Sequence, residues 1–199
     1  MNTITIPPEL LNRAIKGDAD AFSEIMEASQ KAVYNLCFRM LSNPNDAEDS
    51  TQETFLRAYR NIKHYDDKRP FITWLLSIAA HHCIDQLRKR RMTLISTDED
   101  PQIDLFDLNP GPEVSFGNHE RQQQVQSLLN TLPAQDRAAV VMLYWYDLSY
   151  EEIGEALHLT VSAVKSRLHR ARISLAQSWN EDEKKTLYKE RYYHGSPAL

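Results

Sequence analysis

Lys165, Ser166, His169, Arg170 and Arg172 have the types and spacing to hold nucleic-acid phosphates and to read a base edge. Lys165, His169 and Arg170 stand at i, i+4 and i+5, which on a helix places them on one face. Lys or Arg can donate to guanine O6 and N7, the commonest base-specific contact, whereas Ser166 and Arg172 suit backbone phosphates. Ser162 lies one turn earlier, and Arg167 sits near the boundary of the face. No acidic residue occurs from Thr160 to Asn180. A solvated helical hairpin with an incidental charge run is the competing interpretation.

Two more constellations could do chemistry. Asp46, Glu48, Asp49 and Glu53 place four carboxylates within eight positions, with Gln52 and Phe55 on the same side. This patch suits either docking on a basic protein surface or plain solvation, with Phe55 as an apolar anchor in the first case. Arg88, Lys89, Arg90 and Arg91 form a basic block. The run His81-His82-Cys83 lacks a second ligand cluster at suitable spacing, so no metal and no cofactor are expected. No paired carboxylates, activated nucleophile or phosphate loop stands out either. No catalytic residue is assigned, and the chain is not expected to be an enzyme.

These residues need elements to hold them. The chain has 199 residues, only five glycines and abundant helix formers, which favours an all-α fold. Its formal net charge of −5 argues against nucleic acid only until the segregation of charge is considered. Residues 8–91 read as a first helical domain. A helix from about Pro8 to Lys16 ends at Gly17, and Asn43-Pro44 breaks the chain and restarts it as cap and first turn. A polar loop spans His64 to Pro70, followed by a helix from about Phe71 to Arg91 with Trp74, Leu75, Ile78 and Ala79 inward. Residues 92–120 hold seven acidic residues, three prolines and no Lys or Arg, as expected of a flexible acidic linker. A second helical domain spans 121–179, and a charged tail without assigned role spans 180–199.

The second domain contains a helix-turn-helix pattern. Ser149 and Glu152 have capping-box spacing, and Ile153, Ala156 and Leu157 give the first helix an apolar stripe. Thr160 can cap the second helix, with Val161, Val164 and Leu168 inward. Cys37 and Cys83 fall within apolar helical patterns and read as buried free thiols of a reducing compartment. No signal peptide and no membrane-spanning run is recognisable, so the expected location is cytoplasmic, without membrane insertion.

Taken together, Asp46-Ala47-Glu48-Asp49-Ser50-Thr51-Gln52-Glu53-Thr54-Phe55, Phe71-Ile72-Thr73-Trp74-Leu75 with Ile84-Asp85-Gln86-Leu87-Arg88-Lys89-Arg90, and the two halves of the helix-turn-helix resemble the extracytoplasmic-function sigma factors of the sigma-70 family. The resemblance runs in order from about residue 8 to 178. It implies a sigma-2-like and a sigma-4-like domain in a bacterial transcription initiation factor. Its implied partners are core RNA polymerase, promoter DNA and an anti-sigma factor, with nucleoid association in the holoenzyme. Asp46, Glu48, Asp49, Gln52, Glu53 and Phe55 would then meet polymerase. His64, Tyr65, Lys68, Arg69, Trp74, His81 and Arg88 to Arg91 would meet the minus-ten element as it melts, although Tyr65 also fits a core aromatic. Ser162, Lys165, Ser166, Arg167, His169, Arg170 and Arg172 would meet the minus-thirty-five element. The acidic linker would be either an RNA mimic threading the polymerase cleft or a soluble spacer. Two departures from the family pattern are Ala80-His81, where many relatives have Arg-Asn, and Asp147, where Gly is frequent. A stand-alone DNA-binding regulator is the alternative, and it leaves the acidic helix unexplained.

Overall fold

Several helix starts in this chain are set by short polar side chains, and others by proline. The computed structural model describes residues 5–96 and 116–193, all helix and connection without a strand among them. Helix α1 (Pro8–Ile15) begins on a proline and gives way to Gly17 at φ 97°. Asp18 then caps α2 (Ala19–Leu41), its carboxylate accepting from the Ala21 amide at 3.0 Å. Asn43 caps α3 (Pro44–Asn61) in the same way, accepting from the Asp46 amide at 3.1 Å. A 3-10 turn (Ile62–His64) and a loop lead into α4 (Phe71–Ser96). The second unit comprises α5 (Phe116–Asn130), α6 (Ala134–Tyr146), α7 (Tyr150–Leu157) and α8 (Val161–Tyr193). Both ends of the expected linker are therefore helical, and its middle lies outside the described residues. Helix α8 also continues well past Trp179, where the sequence suggested a tail of unassigned role; residues 194–199 lie outside the described residues.

Apolar stripes on α2, α3 and α4 build the first core around Ile25, Leu36, Met40, Leu75 and Leu76, all fully buried. Met142, Ile153, Val164 and Leu168 build the second. The two cores are continuous, because α6 and α7 pack on α2 and α4. Polar groups line this seam. Tyr146 donates its hydroxyl to the Ala32 carbonyl at 2.6 Å, and burial raises its pKa. Gln126 donates to the Arg39 carbonyl and to Ser42 Oγ at 3.0 and 2.7 Å. Arg39 lies over the Trp145 ring, 4.8 Å from its centroid. Tyr146 and Gln126 thus find partners across the seam, as burial of polar groups favours, whereas the buried Nε of Arg39 finds no hydrogen-bond partner among the described residues.

Candidate nucleic-acid interface

The helix-turn-helix is fixed by three backbone devices. Ser149 and Glu152 form a reciprocal capping box, Glu152 N to Ser149 Oγ at 3.2 Å and Ser149 N to Glu152 Oε2 at 2.8 Å. At the turn, His158 adopts the left-handed conformation (φ 54°) and the Leu159 amide donates to the Gly154 carbonyl at 2.8 Å. That approach is so close that a Cβ on Gly154 would lie 2.7 Å from the Leu159 carbonyl oxygen. Thr160 then caps α8 through the Ala163 amide at 3.2 Å. Asp147 takes the left-handed C-cap of α6 (φ 52°), so the turn forms without glycine. Aspartate is among the few residues other than glycine that tolerate this conformation.

With Val164, Leu168 and Ala171 buried, α8 exposes Ser162, Lys165, Ser166, His169, Arg170 and Arg172. Lys165 also reaches over the Tyr150 ring at 5.9 Å. Arg167 departs from the expectation. It turns inward, donating from Nη1 to Asp136 Oδ1 at 2.7 Å, and its side chain keeps only 24% exposure. No local pattern pairs the two, because Asp136 lies 31 positions away on α6. Its charge is therefore satisfied within the protein.

In the first unit the predicted minus-ten residues divide into two groups. His64, Lys68, Arg88, Lys89, Arg90 and Arg91 are exposed, and Arg69 is half-buried. Arg88 pairs with Asp85 at 3.3 Å. Tyr65, Phe71 and Trp74 form a ring cluster with centroids 5.4 Å apart, and the Tyr65 hydroxyl donates to the Arg69 carbonyl. Of its two sequence roles, Tyr65 thus takes a packing position, and Trp74 is half-buried beside it. The cluster fixes the loop from Tyr65 to Pro70 against α4. His81 donates from Nδ1 to the Ser77 carbonyl across 2.8 Å, and its ring meets that of His158 with centroids 4.9 Å apart. The turn of the helix-turn-helix therefore lies against α4.

The acidic helix α3 requires a larger correction. Phe55 is only 6% exposed and belongs to the core, so it is no surface anchor in this structure. Its position serves the apolar stripe with Ala47, Thr51, Thr54 and Ala58, all buried. Asp46 is held by Arg90 at 2.6 Å, joining the acidic block to the basic one. Glu53 is held by Arg57 at 2.6 Å, and that hydrogen bond lowers its pKa. Glu48, Asp49 and Gln52 remain exposed, and beside them Leu56 is 51% exposed. Leu56 stands four residues after Gln52, a spacing that could have identified it. Among the described residues no group of three or more His, Cys, Asp or Glu is placed to hold a metal. None of the described helices is long and apolar enough to cross a membrane.

Comparison with known proteins agrees with this layout. Residues 25–93 match the family model described as Sigma-70 region 2, and residues 122–175 match Sigma-70, region 4. The chain is 37% identical over 167 residues to the ECF RNA polymerase sigma factor SigW of Bacillus subtilis, covering 80% of this chain and 89% of that protein. It is 36% identical over 158 residues to the ECF RNA polymerase sigma factor SigE of Mycolicibacterium smegmatis, covering 78% of this chain and 60% of that one. The solved sigma factor RpoE of Bartonella quintana, in complex with the anti-sigma factor NepR, shares the fold at a TM-score of 0.65 and 24% identity. That match covers 78% of this chain and 94% of the solved one.

Proposed function

We propose that this chain, which belongs to the extracytoplasmic-function group of the sigma-70 family, binds core RNA polymerase and directs it to promoters through separate minus-ten and minus-thirty-five contacts. One observation carries the reading. A helix-turn-helix with an exposed basic face follows, in one chain, a helical unit that bears one exposed acidic surface and one exposed basic surface. Opposite charges on separate faces allow simultaneous engagement of a basic protein surface and an anionic nucleic acid.

On this reading residues 8–91 form the polymerase-binding and minus-ten unit, and residues 121–179 the minus-thirty-five unit, with 92–120 between them. Glu48, Asp49, Gln52 and Leu56 meet polymerase, Leu56 taking the role first given to Phe55. Arg88, Lys89 and Arg91 hold phosphates near the melting element, with His64, Lys68 and Arg69 at the loop. Unstacking a base costs a few kcal/mol, which such contacts must offset. Lys165, Ser166, His169 and Arg170 read the upstream duplex, with Ser162 and Arg172 on phosphates. The protein performs no chemistry of its own, works in the cytoplasm at the nucleoid, and is restrained by an anti-sigma factor. Co-elution with purified core polymerase at low salt tests the reading, and a chain that stays separate from core contradicts it.

A further inference from the structure

The acid-free stretch of α8 meets a carboxylate supplied from another helix. Asp136, in the first turn of α6, is 4% exposed and accepts from Arg167 Nη1 at 2.7 Å. Its second oxygen lies 3.7 Å from Arg170 Nη2, while the Arg170 side chain remains 61% exposed. One buried carboxylate thus faces two guanidinium groups of the recognition helix, one held tightly and one loosely. The start of α6 stabilises the negative charge through its amide dipoles.

We propose that Asp136 is a specificity-determining residue for the upstream promoter element, acting by positioning Arg167 and Arg170. The proposal rests on the reading of α8 as the minus-thirty-five helix. On arbitrary duplex, guanidinium groups gain mainly by neutralising phosphates, a contact without sequence information. Asp136 withholds both from that use: Arg167 is already neutralised, and Arg170 can stay with the carboxylate. A guanine edge offers Arg170 a bidentate pair that discriminates against the wrong base. That gain can draw Arg170 off a contact as long as 3.7 Å, but it does not compete for the shorter Arg167 pair. The carboxylate therefore suppresses non-cognate binding more than cognate binding.

The test uses full-length protein in reconstituted holoenzyme and a pool of duplexes randomised over the upstream element. Wild type and the variants Asp136→Asn and Asp136→Glu are compared for enrichment and for affinity toward non-cognate duplex. Asp136→Asn is expected to bind non-cognate duplex about threefold to tenfold more tightly, with a steeper log-affinity against log-salt slope by about 1–2. Discrimination between enriched and unenriched sequences should fall about fivefold, and Asp136→Glu should recover part of it. A merely structural role moves these differently: cognate and non-cognate affinity fall together with the melting temperature. That result, or unchanged discrimination, overturns the proposal. If Asp136→Asn fails to fold, Asp136→Asn combined with Arg167→Gln removes the unpaired half-buried guanidinium and carries the same test through Arg170. A wild-type holoenzyme that enriches no sequence overturns the reading of α8 itself, and the proposal with it.

Discussion

Replacing Arg137 with alanine should cost about 3 kcal/mol of stability, because this buried cation joins the ends of two helices without a carboxylate partner among the described residues. Arg137 is 6% exposed. Its Nη1 donates to the Met40 carbonyl at 2.5 Å and to Asn130 Oδ1 at 3.0 Å, and its Nη2 to the carbonyls of Asn130 and Leu132 at 3.0 and 3.3 Å. Met40 lies in the last turn of α2 and Asn130 ends α5, so the guanidinium caps two negative helix ends. Burial lowers its pKa to about 10, which still leaves it charged at neutral pH. Hydrogen bonds from a charged donor contribute about 1.5–3 kcal/mol each. Truncation also strands oxygens that this donor satisfies, at about 1–3 kcal/mol for a buried unsatisfied group, and a net loss of about 2–4 kcal/mol is expected once the ion's own dehydration is relieved. With a urea m-value of about 2 kcal/mol/M, the unfolding midpoint should fall by about 1–2 M. Arg137→Lys, which keeps the charge but loses the fork, should fall between wild type and alanine. Urea unfolding followed by far-ultraviolet circular dichroism measures both. An alanine variant within about 0.5 kcal/mol of wild type, or a lysine variant equal to it, refutes the reasoning.

Gly154→Ala should destabilise the helix-turn-helix by about 1–3 kcal/mol, since the new methyl meets a backbone oxygen that can only move with the turn; thermal unfolding measures the loss. Lys165→Ala and Arg170→Ala should weaken binding to selected duplex about tenfold each and leave core polymerase binding intact. Asp49→Ala with Leu56→Ala should do the reverse, weakening core binding about tenfold; filter binding and co-elution separate the two, and equal effects on both contradict the division of labour. His82 is buried, and that burial, with Arg57 nearby, lowers its pKa. The unfolded chain therefore takes up its proton first, and the His82 contribution to stability is lost as pH falls below about 6.5. His82→Gln should flatten the decline of the unfolding free energy on acidification, as followed by denaturant titration at several pH values.

What was legible in the sequence follows the range of the interactions involved. Asn43, Ser149 and Thr160 cap their helices through groups three residues away, so local spacing suffices to identify them. The left-handed turn at Asp147 is legible only through the resemblance, in which glycine is frequent at that position. Phe55 was misjudged because position 55 borders both the acidic face and the buried stripe of α3, and periodicity alone does not separate them. The inward turn of Arg167 depends on a residue 31 positions distant, and the Arg90–Asp46 pair joins blocks that looked independent. The seam between the units rests on contacts such as Tyr146 with Ala32, 114 positions apart, which no local pattern encodes.

Mapping the 5′ ends of transcripts made by reconstituted holoenzyme on genomic DNA tests whether this chain selects promoters. Defined start sites that share two upstream sequence elements are expected, lost from core polymerase alone and weakened by Arg170→Ala. Starts indistinguishable from those of core polymerase, or sequence-specific DNA binding that neither needs nor recruits polymerase, would contradict it.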